Sequence, residues 1–177
     1  MSEGQLLRVE VDFLAGEYGG GGRSRRTQVV QDVRARKARG CGLVFGNTVS
    51  ITIDGELPGG GNDKVTCNVA GIMPFLVMKG IALRNRRSAK DAYDIYYCIR
   101  HYSDEPSQLV SEFRPWMSNS LVREALQNIR EKFQSIEHTG PREVVDFLEL
   151  QDGEEKEVIR RQVFETIDEW LRALGFS

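Results

Sequence analysis

The sequence predicts an α+β fold: a small mixed β-sheet of about four strands, followed by a helical C-terminal region. Two patterns carry this expectation. Short alternating or β-branched segments, separated by glycine-rich turns, fill residues 1–69, and apolar residues recur at helical spacing throughout residues 70–177. A third observation sets the scale. With 177 residues, 40% hydrophobic and 28% charged, the chain is long enough to bury a real core and has the composition of an ordinary water-soluble domain.

The first strand is read in Leu7-Arg8-Val9-Glu10-Val11-Asp12-Phe13-Leu14, whose alternation places Leu7, Val9, Val11 and Phe13 on one face and Arg8, Glu10 and Asp12 on the other. The glycine run at residues 19–22 is followed by Arg23-Ser24-Arg25-Arg26 rather than Gly-Lys-Ser/Thr, so it reads as a flexible lid or hairpin bend and not as a P-loop. Residues 28–39 have a short helical pattern through Val29, Val30 and Val33. Residues 43–45, 49–53 and 64–69 read as strands, interrupted by Asp54-Gly55 and by Pro58-Gly59-Gly60-Gly61.

Helices follow in order. Ile72, Phe75, Leu76, Ala82 and Leu83 mark the first, and Ala92, Ile95, Tyr96 and Ile99 mark the second, with Ser88 as its N-cap. Leu121, Ala125, Ile129, Phe133 and Ile136 form a third stripe after the capping run Ser118-Asn119-Ser120. A shorter helix starts at Pro141, a favoured first-turn residue, and Ile159, Val163, Ile167, Trp170, Leu171 and Leu174 mark the terminal helix before Gly175.

Composition excludes several classes of function. No apolar run approaches the length of a membrane span, and the polar Met-Ser-Glu-Gly start is unlike a signal peptide, so a cytoplasmic protein without membrane contact is expected. Cys41, Cys67 and Cys98 are odd in number and lack a Cys-x-x-Cys pair, which argues against a disulfide framework or a zinc site. His101 and His138 have neither metal-ligand spacing nor a neighbouring nucleophile, and Trp116 and Trp170 fall in helical patterns as packing residues. A net charge of −2 exerts no overall pull on nucleic acid, although Arg23 to Arg26, Arg34 to Arg39 and Arg84 to Arg87 are locally basic.

The chemistry concentrates in residues 70–101. Lys79 takes the i+7 slot of the apolar stripe begun at Ile72, where its ammonium must either snorkel to water or meet an anion. Asp91 and Asp94 lie three residues apart on the next helix, and two readings stand side by side. Asp91 is an acid in the first turn after the Ser88 cap and Asp94 a solvated charge, or the two carboxylates face a common cation. For Glu10 and Asp12 the alternatives are a solvated strand face or a pair of oxygen ligands for a hard cation.

The run from Phe75 to Ile95, with Lys79 followed by Lys90-Asp91-Ala92-Tyr93-Asp94, resembles the last two motifs of the AbiEii-type abortive-infection nucleotidyltransferase toxins, a lysine helix and then Lys-Asp-x-x-Asp. The likeness is best over residues 70–101 and extends loosely to residues 9–14. It implies that Lys79 and Lys90 hold nucleotide phosphates, that Asp91 or Asp94 assists the chemistry, and that Asp12 takes the place of the family's third acid, with Glu10 beside it on magnesium. The family's Gly-Ser turn and Asp-x-Asp pair are absent, and eleven residues precede Asp12. The resemblance therefore implies a truncated or degenerate nucleotidyltransferase that lacks the N-terminal strands of its fold and is inactive by itself. The complete enzyme would use Mg2+ and an NTP to modify an acceptor such as RNA. Implied partners are an antitoxin or a separate N-terminal half, and self-association through the uncovered first strand is expected. The alternative is a non-catalytic nucleotide- or protein-binding regulatory relative.

Overall fold

The computed structural model describes residues 10–17, 26–57, 59–85, 88–151 and 153–176. Strands precede helices, as the sequence predicts, and the fold is α+β. Strands β1 (Leu14–Ala15), β2 (Thr27–Val30), β3 (Val33–Lys37), β4 (Thr48–Glu56) and β5 (Asn62–Ala70) are followed by helices α1 (Ile72–Asn85), α2 (Ala89–His101), α3 (Pro106–Phe113), α4 (Ser120–Lys132), α5 (Thr139–Phe147) and α6 (Gly153–Ala173).

The strands form two sheets instead of one. In the first, the order is β1-β3-β2, with β1 parallel to β3 and β2 antiparallel to it; in the second, among the described residues, β4 pairs with β5 alone. Three local expectations change with this. Residues 28–39 are a hairpin rather than a helix: Gln31 and Asp32 turn the chain with φ of 47° and 64°, and Val30 pairs with Val33. Two consecutive left-handed residues match the twist of paired strands, and the β-branched valines that fitted a helical spacing fit a pleat better. Residues 43–45 are a turn of 3-10 helix within Cys41–Gly46, entered through Gly40 at φ 81°, because glycines on both sides leave too few residues for a strand. Asp54-Gly55 does not break β4. Gly55 stays in register opposite Asp63, and the reversal falls at residues 57–61, where Gly60 and Gly61 supply φ of 83° and 93°.

The expected first strand is shorter than its alternation suggested. Residues 7–9 lie outside the described residues, and of residues 10–14 only Leu14 belongs to β1. Val11 and Phe13 are 68% and 56% exposed, since they precede β1 and nothing among the described residues covers them. The glycine run at 19–22 and Arg86-Arg87 also lie outside the described residues.

The core is helical. Leu76, Ile95, Phe113, Leu126, Ile129, Val144, Val163 and Ile167 are completely enclosed, and Trp170 meets Phe113 edge-on at 5.1 Å. On α1 the buried ridge is Met73, Leu76, Val77 and Ile81, rotated from the stripe read in the sequence, which leaves Ile72, Phe75 and Lys79 on a half-buried flank. Gly80 lets α1 approach α4 closely: a Cβ there would lie 2.7 Å from the Ala125 carbonyl oxygen, and Asn128 Nδ2 donates to Gly80 O at 3.1 Å. Asn119 caps α4 by accepting from the Leu121 and Val122 amides. Helix α5 starts at Thr139, two residues before the expected Pro141, with His138 in the capping position.

Candidate functional site

The half-buried flank of α1 faces the first turns of α2, and this juxtaposition assembles an ion cluster. Ser88 caps α2 by accepting from the Asp91 amide at 3.3 Å, which fixes the helix start and turns the Asp91 and Asp94 side chains toward α1. Lys79 Nζ donates to Asp91 Oδ1 at 2.7 Å and to Asp94 Oδ2 at 2.6 Å. Lys90 Nζ reaches both Asp94 oxygens at 2.9 Å from the solvent side. The Lys79 side chain is 20% exposed, Asp91 2% and Asp94 15%, so the bonds sit where water screens little. Lys79 does not snorkel. Its Nζ also lies 5.5 Å from the Phe75 ring centroid, within cation-π reach.

Electrostatics follow from this packing. Burial opposes the charge on Lys79, but hydrogen bonds from its ammonium to Asp91 and Asp94 outweigh that cost and raise its pKa. Burial likewise opposes ionisation of Asp94, yet Lys79 and Lys90 together hold its carboxyl below the ordinary range. Lys79 thus bridges the two carboxylates, and Lys90 closes the solvent side of Asp94. Asp91 fills both roles considered from sequence, since its amide is capped while its carboxylate binds Lys79.

Glu10 and Asp12 are placed differently. Both are exposed, and Asp12 pairs with Arg36 of β3 at 3.5 Å rather than with the Lys79 cluster. Among the described residues no group of three or more metal-ligating side chains converges. Asp91 and Asp94 are themselves engaged by ammonium groups, which a divalent cation would have to displace. The donor set around the cluster thus does not fit a magnesium ion held by paired carboxylates.

Two features escaped the sequence reading. An aromatic row runs along α2 beside Asp94: Tyr93 stacks on Phe147 with centroids 4.6 Å apart, and Tyr97 lies 5.7 Å from Tyr93 and 4.6 Å from His101. The i, i+4, i+8 spacing of Tyr93, Tyr97 and His101 was its available signal. Arg39 grips Glu124 of α4 with both terminal nitrogens, at 2.6 and 2.8 Å, and reaches Glu17 at 3.3 Å, tying the end of the first sheet to the helices. No sequence pattern links residues so far apart.

No helix among the described residues is long and apolar enough to cross a membrane. Comparison of the chain with protein-family models, with curated proteins and with solved structures finds no match in any of the three.

Proposed function

We propose that residues 72–101 are the phosphate-handling part of a nucleotidyltransferase-like site of the AbiEii toxin type, present here in a truncated or degenerate form. One observation supports this reading above others: Lys79, Asp91 and Asp94, which carry the motif resemblance, meet across two helices in a single low-solvent cluster. A lone motif match would leave them scattered. In this reading an arriving phosphate oxygen replaces Asp94 as a partner of Lys79, and Lys90 keeps Asp94 neutralised while Asp91 holds the Lys79 ammonium in place. In the complete enzyme the nucleotide would pass to an acceptor such as RNA. Asp12, exposed and paired with Arg36, stays apart from the cluster and from any partner carboxylate that could share a magnesium ion with it, so in this reading the chain alone transfers no nucleotide.

The second reading is a non-catalytic nucleotide- or protein-binding regulator. It draws on the occupancy of Lys79, whose ammonium already meets two carboxylates.

The protein is incubated with magnesium, labelled nucleoside triphosphates and total RNA, and nucleotide binding is followed by calorimetry. The expected result is weak triphosphate binding that is lost in Lys79→Met, without label transfer. Magnesium-dependent transfer abolished by Asp12→Ala would overturn the inactive assignment. Absence of any triphosphate binding would favour the regulatory reading.

A further inference from the structure

The β4–β5 hairpin stands apart from the helical core with both faces in solvent. Its pairs Val49 with Val69, Ile51 with Cys67 and Ile53 with Val65 form an apolar face, on which Val49, Ile51, Ile53 and Val65 are 53%, 38%, 51% and 53% exposed. The other face is polar, with Ser50 bonded to Asn68 and Thr52 to Thr66. A two-stranded hairpin is marginal by itself. The question is which edge can accept another strand, and whose.

The hydrogen-bond phase of the hairpin answers the first part. Leu57 N donates to Gly61 O and Gly71 N to Asn47 O, at opposite ends of the ladder, so odd-numbered residues of β4 are those that exchange bonds with β5. The close side-chain contacts of Ser50 with Asn68 and Thr52 with Thr66 fit the intervening non-bonded pairs. The amides and carbonyls of Thr48, Ser50, Thr52, Asp54 and Glu56 therefore point away from β5, along an edge that no other strand of the described residues covers. On β5 the matching edge is guarded: the outward amide of Lys64 already donates to Asp63 Oδ1 at 2.8 Å, and Lys64 itself is a charged edge residue. Strand β4 carries no lysine, arginine or proline.

We infer that β4 is a homodimerisation edge, pairing antiparallel with β4 of a second copy about a twofold axis at Thr52. In this register Thr52 faces its own copy in a hydrogen-bonded pair, Ser50 faces Asp54, and Thr48 faces Glu56. No like charges oppose each other. Ile51 meets Ile53 and Val49 meets Gly55 on the apolar face, in the closer non-bonded pairs. The corresponding register about Thr66 on β5 would set Asp63 against Val69 on that same face, which disfavours it. Two hairpins become one four-stranded sheet, and each outward amide of β4 gains a carbonyl. This inference is independent of the nucleotide site.

Sedimentation from micromolar to millimolar protein tests it. The wild type should dimerise. Thr52→Asp and Thr52→Lys each place like charges at the axis and should raise the dimer dissociation constant by about fivefold, while an equimolar mixture of the two variants restores association. Thr52→Pro deletes an outward amide without touching the β4–β5 ladder and should weaken the dimer by about tenfold or more, whereas Thr66→Pro should leave it intact. Circular dichroism confirms that each variant is folded. A wild type that stays monomeric throughout, a mixture that does not recover, or dimerisation lost through Thr66→Pro alone would each overturn the inference.

Discussion

Replacing Lys79 tests how α1 and α2 are joined. Its ammonium donates to Asp91 and Asp94 at 2.7 and 2.6 Å from a side chain that is 20% exposed. Asp94 retains Lys90 at 2.9 Å after the change, and Asp91, whose carboxylate is 2% exposed, loses its bond to Lys79. Hydrogen bonds to charged groups contribute about 1.5–3 kcal/mol, and removing one partner of a buried ion pair costs about 3–5 kcal/mol. Lys79→Met should therefore destabilise the protein by about 2–3 kcal/mol, in the range of the charged hydrogen bonds it removes, because each aspartate keeps a further interaction. Asp91→Asn should cost about 2–3 kcal/mol, and the double variant should cost much less than the sum, giving a coupling of about 2 kcal/mol. Urea unfolding at neutral pH, followed by the fluorescence of Trp116 and Trp170, measures all three. Lys90→Met is the control. With its side chain 65% exposed, it should change stability by no more than about 0.5 kcal/mol. A coupling below about 0.5 kcal/mol between Lys79 and Asp91 would refute the claim that this pair holds the two helices together.

The same cluster sets a pH window. Asp94 has a folded pKa below its unfolded value, so its contribution is present above about pH 3.9 and is lost as pH falls through the folded value. Lys79 has a raised folded pKa; its contribution is present below about pH 10.4 and disappears as pH rises through the folded value. The melting-temperature difference between wild type and Asp94→Asn should accordingly vanish in strong acid, and a difference that is the same at every pH would remove Asp94 from the account. Gly80→Ala probes the crossing of α1 and α4. The added methyl would lie 2.7 Å from the Ala125 carbonyl oxygen, so despite the better helix propensity of alanine the protein should lose about 2 kcal/mol; an unchanged or raised melting temperature would contradict the close approach.

Sequence alone determined that strands fill the first part of the chain and helices the rest, because periods of 2 and 3.6 are written in neighbouring residues and need no distant contact to be read, although helix α3 went unread. It also marked Lys79 as a cation that must either snorkel to water or meet an anion, and the structure decides for the anion, with the acids of the next helix as its partners. Where local signals were ambiguous, longer-range pairing decided. Val29, Val30 and Val33 fit a helix by spacing, but they form a hairpin because Gln31 and Asp32 adopt left-handed conformations that sequence does not announce. Alternation alone could not say whether residues 10–14 would be covered, because coverage depends on the neighbours a strand finds in the sheet, and among the described residues β1 finds β3 alone. The placement of Asp12 beside Arg36, away from Lys79, is likewise a property of strand register. So are the split of the strands into two sheets and the outward-facing amides of β4. Register arises from which residues close a ladder, a choice made between segments distant in sequence and settled only when the chain is folded.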